Sequence, residues 1–262
     1  MSIVSQVEST AELPRVQRIG FSDLRLALEG GVADFRELPS HAVFLCLFYP
    51  LAGLLLGGAL LRYNVAPLVF PLVAGFALVG PFAAVGLYEL SRRIELGVDR
   101  SWEHAFDVFR SPAKWSIFAL GVLLLAIFIA WLLCAQWIYQ ETLGTLAPHS
   151  VGAFAHDLFA TTTGWEMIVW GNLVGFLFAV IAMSLSVVSF PLLLDRHVSA
   201  PVAMLTSLRA VLENPRAMAA WGLIVAAGLV AGSIPFLLGL AVVMPVLGHA
   251  TWHLYRRVVA PD

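Results

Sequence analysis

Residues 115–139 read WSIFALGVLLLAIFIAWLLCAQWIY, without a single Asp, Glu, Lys or Arg. About 20 predominantly apolar residues cross the hydrocarbon core of a bilayer as a helix, so this stretch predicts a transmembrane span. The rest of the chain has the same character. Of its 262 residues, 60% are apolar and 12% charged, where soluble domains carry about 25% charged residues. The mean hydropathy is +0.88. Such a composition excludes a soluble globular enzyme and a disordered chain. A nucleic-acid binder needs a basic surface, and here 15 basic residues face 17 acidic ones.

Working outward from Trp115–Tyr139, five more segments are long and apolar enough to span: His41–Leu61, Val65–Tyr88, Trp165–Leu194, Arg216–Gly232 and Pro235–Leu254. The last two are parted by Gly232, Ser233 and Pro235, a turn signal. A single helix from Ala217 to Leu254 would be too long for one crossing. The expected fold is all-α: a polytopic membrane bundle of six transmembrane helices in three hairpins. Basic residues orient it, because cytoplasmic connections carry the Lys and Arg excess. All of the 15 basic residues except Arg62 fall on one side of this arrangement. Both termini are therefore expected in the cytoplasm, with the bilayer as the first partner. Met1–Phe21 is polar, so no cleavable signal peptide is expected and the first span acts as the insertion signal. Residues 1–21 read as a flexible cytoplasmic arm, and 22–262 as one membrane domain. Between Gln140 and Gly164, apolar Phe154, Leu158 and Phe159 at helical spacing predict a short helix on the outer surface.

Three segments on the basic side resemble one another: Ser22–Pro39, Ser101–Pro112 and Ser199–Pro215. Each opens on a serine suited to cap a helix and ends on a proline. Each carries an apolar stripe: Leu24, Ala27, Leu28, Gly31, Phe35 and Leu38; Trp102, Ala105, Phe106 and Phe109; Val202, Leu205, Leu208 and Leu212. The stretches Pro81–Arg93 and Pro245–Arg257 align in proline, aromatic and paired arginines, and Pro191–Arg196 keeps a shorter version. Three repeat units are expected, about 22–93, 101–197 and 199–257, each an amphipathic interfacial helix followed by a membrane hairpin.

No charge falls at the centre of a predicted span, which weighs against a proton-coupled pump. Asn172, Ser184, Ser186 and Ser189 are the polar residues of the fourth span, read as interhelical hydrogen-bonding groups or as a polar path. His249 and His253, at i and i+4, share a helix face. That spacing can hold a metal or haem, but no third ligand lies near in sequence, so no metal and no cofactor is expected. His104 and His197 are the other candidates for a four-histidine site. His253 is expected to pair instead with Glu89, its neighbour by repeat equivalence. Cys46 and Cys134 lie in apolar runs and read as small buried hydrophobes. Gly53-x3-Gly57 and Gly171-x3-Gly175 suit close helix contact, within the chain or between two copies. Pro50, Pro71, Pro81, Pro191 and Pro245 are expected to kink their helices. No nucleotide cradle, zinc array, nucleophile elbow or pair of catalytic carboxylates is present, so no enzyme is expected.

The segments HAVFLCLFYPLAG from His41, GPFAAVGLYELSRR from Gly80, HAFDVFRSP from His104, SFPLLLDR from Ser189 and LGHATWHLYRR from Leu247 together resemble a family of uncharacterised proteobacterial integral membrane proteins, domain of unknown function 2189. The resemblance implies a bacterial inner-membrane, multi-pass protein and carries over no catalytic or binding residue. The expected function is a non-catalytic scaffold or assembly partner, contacting a membrane protein or a second copy. A transporter or channel for a small or lipid-like solute is the alternative, and a haem- or metal-binding respiratory accessory protein the third reading.

Overall fold

A computed structural model describes residues 13–38, 58, 66–144, 151–196, 198–235 and 237–261. Within them the chain is helical, with no strand beyond one isolated bridge between Val16 and Val259. The α-helices are α1 (Phe21–Glu37), α2 (Ala66–Ala83), α3 (Val85–Leu96), α4 (Lys114–Thr142), α5 (Val151–Ala160), α6 (Thr162–Ser186), α7 (Ser189–Asp195), α8 (Ala200–Glu213), α9 (Pro215–Ser233) and α10 (Leu240–Val258). A 3-10 helix, Trp102–Arg110, precedes α4.

Among the described residues, three helices are long and apolar enough to cross a membrane: Lys114–Thr142, Thr162–Asp195 (α6 running into α7) and Pro215–Ser233. They fall on the third, fourth and fifth expected spans. Only 28% of the apolar window of the first and 22% of that of the last is buried within the protein. Leu125, Ile129 and Leu133 on α4, and Leu223 and Val230 on α9, point outward. A continuous apolar surface of this kind suits hydrocarbon, not water.

The other expected spans fare differently. His41–Leu61 lies outside the described residues except for Gly58. Val65–Tyr88 becomes two helices: α2, with Pro71 and Pro81 inside it, gives way at Ala84 to α3. The sixth segment forms a helix only from Leu240, after a turn region. Its second half is enclosed by protein, with Gly248, His249, Ala250, Thr251, Trp252 and Leu254 all buried. The reason is chemical: this half carries His249 and His253, which find polar partners on other helices that lipid tails cannot supply, while Thr251 donates to the Leu247 carbonyl of its own helix. Pro245 sits inside α10 without ending it. The break between α6 and α7 falls at residues 187–188, where the ring of Pro191 would clash with the carbonyl four residues back.

The helices pack in two groups. α10 is flanked by α1, α3 and α9, and α4 by α2 and α6. One apolar core runs through both, from Leu124 and Trp131 to Phe190, Met218, Trp221 and Trp252. The Trp131 indole N–H is satisfied by the Pro71 carbonyl at 2.9 Å. Gly175 lies against the Trp131 ring, whereas Gly171 has no neighbour where a side chain would stand; the Gly53–Gly57 pair lies outside the described residues. Cys134 is free and half-buried, and Cys46 is outside the described residues. The short helix expected between Gln140 and Gly164 is α5, with Phe154 edge-on to Tyr139.

Of the expected N-terminal arm, residues 13–20 are described, and they lie against the end of α10 and the start of α9. Gln17 N–H donates to the Val258 carbonyl and Ala260 N–H to that of Arg15. Asn214 then clamps the same strand-like segment, accepting from Ile19 N–H at 2.8 Å and donating to the Gln17 carbonyl at 3.0 Å. The three serine caps are not made. Gly20 precedes α1 and its N–H is held by the Asp23 carboxylate. Ser101 turns its hydroxyl to Asp99, and Ser199 makes no side-chain cap bond. At the first two, the acidic side chain within reach, Asp23 or Asp99, forms a stronger bond than a serine oxygen does.

The three apolar stripes meet different fates. Trp102, Phe106 and Phe109 are exposed, as are Leu205, Leu208 and Leu212. α8 turns small residues inward instead: Ala203, Thr206, Ser207 and Ala210. In α1, by contrast, Leu24, Ala27 and Gly31 are buried against α10. This first helix is a packing element of the bundle, because its stripe also carries a carboxylate that requires partners.

Candidate functional site: a buried polar cluster between the first and last helices

That carboxylate is Asp34. It stands seven residues after Ala27 and three after Gly31, on the covered face of α1, and is 5% exposed. The approach of α1 to α10 that encloses it depends on glycine. A Cβ on Gly31 would lie 2.6 Å from the Ala250 Cβ, the Ala250 nitrogen and the Val246 carbonyl oxygen. A Cβ on Gly30 would lie 2.8 Å from the His253 ring.

Across this contact Asp34 Oδ2 collects two partners. Ser91 Oγ, on α3, donates to it at 2.7 Å. His253 Nε2, on α10, lies 2.9 Å away. His249 Nδ1 lies 2.8 Å from the same Ser91 hydroxyl. The single hydroxyl proton of Ser91 is committed to the carboxylate, so the oxygen can only accept from His249. This order of donors assigns the proton of His249 to Nδ1 and leaves Nε2 as a bare lone pair. Among the described residues, His249 Nε2 is a buried side-chain atom with no hydrogen-bond partner. Ser91 is 1% and His249 0% exposed. The cluster therefore joins α1, α3 and α10 through one carboxylate, with Ser91 and His249 enclosed and His253 half-buried at its edge.

The expected Glu89–His253 pair is not formed. Glu89 accepts from Arg92 Nε at 3.0 Å and Arg93 Nε at 3.2 Å on its own helix, and His253 goes to Asp34. Two residues separate Glu89 from Ser91, a rotation of about 200° at 3.6 residues per turn, so when Ser91 faces α10 Glu89 faces away from it. His249 and His253 do share a face and a cluster, joined through Ser91 and Asp34. Among the described residues, no group of three or more His, Cys, Asp or Glu side chains is disposed to hold a metal ion. His197 lies outside the described residues.

Three of the four polar residues of the fourth span bond within their own stretch of chain. Asn172 is exposed and donates to the Ile168 carbonyl at 2.7 Å. Ser186 and Ser189 each donate to the carbonyl four residues back, of Ala182 and Leu185, at 2.6 Å. Ser184 is buried. Such back-bonding satisfies a hydroxyl within its own helix and needs no neighbouring polar lining.

A second polar group lies between α3 and α4. Arg93 joins Glu89, Asp107 at 3.0 Å and the Asp99 carbonyl at 2.9 Å. His104 bridges Asp107 at 2.6 Å and Asp99 at 3.0 Å. The hydrogen bond to Asp107, then that to Asp99, raises the His104 pKa above its ordinary 6.5. The hydrogen bonds from His104 hold both carboxyls below the usual carboxylate range. The histidine's share of stability is thus full below pH 6.5 and is lost as pH rises through its raised folded-state value. The carboxylates' share is lost only in acid. A proton-detected titration of His104 in micelles should give a midpoint above 6.5 that falls in Asp107→Asn; a midpoint at or below 6.5 in the wild type contradicts the bridge.

At the carboxyl ends of α3, α7 and α10, the Trp252 indole donates to Glu95 at 3.0 Å, and Tyr255 and Arg256 both reach Asp195. Arg257 binds Asp23 at 3.1 Å. These contacts involve acids and bases that sequence spacing alone did not bring together.

Residues 69–195 match the model of a family described as predicted integral membrane proteins, DUF2189. The match begins within α2 and ends on the last residue of α7, so it includes Ser91 but neither Asp34 nor the two histidines. No curated protein and no solved structure matches the chain.

Proposed function

On the premise of a DUF2189-type integral membrane protein, we propose that the chain is a non-catalytic scaffold or assembly partner of the bacterial inner membrane. One observation carries this reading: the polar side chains join helix to helix or fold back on their own helix, while the outward faces of the spans are apolar. Asp34, Ser91, His249 and His253 are spent on holding α1, α3 and α10 together. The serine–histidine contact is enclosed, which argues against a nucleophile that must meet a substrate. The reading includes six crossings in three repeated units with both termini in the cytoplasm. The pairing of Val16 with Val259, at the two ends of the chain, supports a common side for them.

The test is cross-linking in intact membranes followed by purification in mild detergent. A partner or a second copy recovered in fixed stoichiometry is the expected result. Recovery of bare monomers, together with solute flux by the protein in proteoliposomes, would overturn the scaffold in favour of a transporter.

A further inference from the structure

A groove of about 430 Å3 lies between the 3-10 helix, the α2–α3 junction and the start of α4. Its volume falls in the range of small-molecule sites, roughly 300–1,000 Å3. Phe82, Val85, Ile117 and Phe118 supply apolar lining, and Phe106 and Phe109 belong to it on the 3-10 helix. Lys114 is the single charged residue of that lining among the described residues. It is exposed, makes no ion pair among the described residues, and sits 5.8 Å over the Trp115 ring. Arg110, four residues earlier, has an 88% exposed side chain and only a 3.5 Å contact to Asp107.

The position of the groove decides what fits it. Lys114 is the first residue of the 29-residue span Lys114–Thr142, so it stands where a span meets the headgroups. Trp102, Phe106, Phe109, Trp115 and Phe118 form an exposed aromatic patch there, with Phe106 stacked on Phe109. Tryptophan rings favour this boundary. The amino end of α4 adds the positive end of a helix dipole. An apolar trough that starts at an ammonium with no carboxylate partner among the described residues is complementary to a molecule with a negative head and a hydrocarbon tail.

We propose that this groove binds one anionic phospholipid, its phosphate on Lys114 and one acyl chain along Phe82, Val85 and Ile117. This goes beyond the scaffold reading and does not depend on it. The purified full-length chain, delipidated and then offered phosphatidylglycerol and phosphatidylethanolamine, is examined by native mass spectrometry. The wild type retains one phosphatidylglycerol in preference to phosphatidylethanolamine. Lys114→Ala weakens that retention about tenfold, the worth of one charge-assisted hydrogen bond. Ala83→Trp, at an exposed position of the lining, blocks the trough with Lys114 in place and gives a comparable loss. Arg209→Ala, on α8 and paired with Glu213, leaves retention unchanged. Both groove variants should keep the wild-type thermal midpoint. Equal retention of the two lipids, or wild-type retention by either groove variant, means annular lipid only and overturns the site. Displacement of the lipid by millimolar inorganic phosphate alone also overturns it, since the tail would then contribute nothing.

Discussion

Replacing Asp34 by alanine is expected to lower folding stability by about 3–5 kcal/mol, the usual cost of removing one partner from a buried charged cluster. Two donors lose their acceptor together. Ser91 Oγ and His253 Nε2 both converge on Asp34 Oδ2, at 2.7 and 2.9 Å, and Ser91 in turn holds His249. The carboxylate is buried and Ser91 is 1% exposed, so water does not reach the Ser91 side of the cluster without opening the contact of α1 with α10. Ser91→Ala should cost less, about 1–3 kcal/mol, because Asp34 keeps His253. Unfolding of the purified protein in mixed micelles measures both. If Asp34→Ala falls within about 0.5 kcal/mol of wild type, the size of an ordinary surface change, the cluster does not hold the helices.

Gly31→Ala is expected to destabilise by about 3 kcal/mol, the upper part of the overpacking range, although alanine is the better helix former by roughly 1 kcal/mol. Propensity and packing thus predict opposite signs, which makes the variant decisive. The added carbon would meet two backbone atoms, the Ala250 nitrogen and the Val246 carbonyl oxygen, at 2.6 Å. Backbone of a neighbouring helix cannot rotate aside as a side chain can, so α1 and α10 must separate. The same separation lengthens Asp34–His253. Gly31→Ala and Asp34→Ala are therefore coupled, and the double variant should lose less than the sum of the two by more than 0.5 kcal/mol, the ordinary limit of additivity. Strict additivity would mean that the polar cluster tolerates the displaced helix.

The fold was legible in the sequence where a local property decides it. Residues 115–139 are apolar at every turn of a helix, and α4 runs from Lys114 to Thr142. Trp165–Leu194 and Arg216–Gly232 agree with Thr162–Asp195 and Pro215–Ser233 nearly as closely. The final segment was harder. Pro235–Leu254 passes a hydropathy threshold over part of its length, but His249, Thr251 and His253 make its second half a buried polar face. Average apolarity does not tell a helix in lipid from a helix in a protein core.

The candidate site was half legible. His249 and His253 stand out at i and i+4, and the cluster contains both. Their partners did not stand out. Asp34 lies 219 positions from His253, and Glu89 looked the better match only through repeat equivalence. A signal was present: one carboxylate among the apolar positions of the first stripe, three residues after adjacent glycines. A charge there must be either paired or exposed, and the glycines favour a close neighbour.

Hydropathy along the chain is enough to identify the bilayer as its solvent and to bound Lys114–Thr142, Thr162–Asp195 and Pro215–Ser233 within a few residues, because transfer to hydrocarbon adds up residue by residue along a contiguous segment. Which stripe is covered, which carboxylate the histidines meet, and that the segment after Leu13 is tied to Val258 and Asn214 follow from the packing of the helices alone. Hydrogen bonds act over about 3 Å, so their partners are fixed by how helices far apart in the chain come to lie side by side.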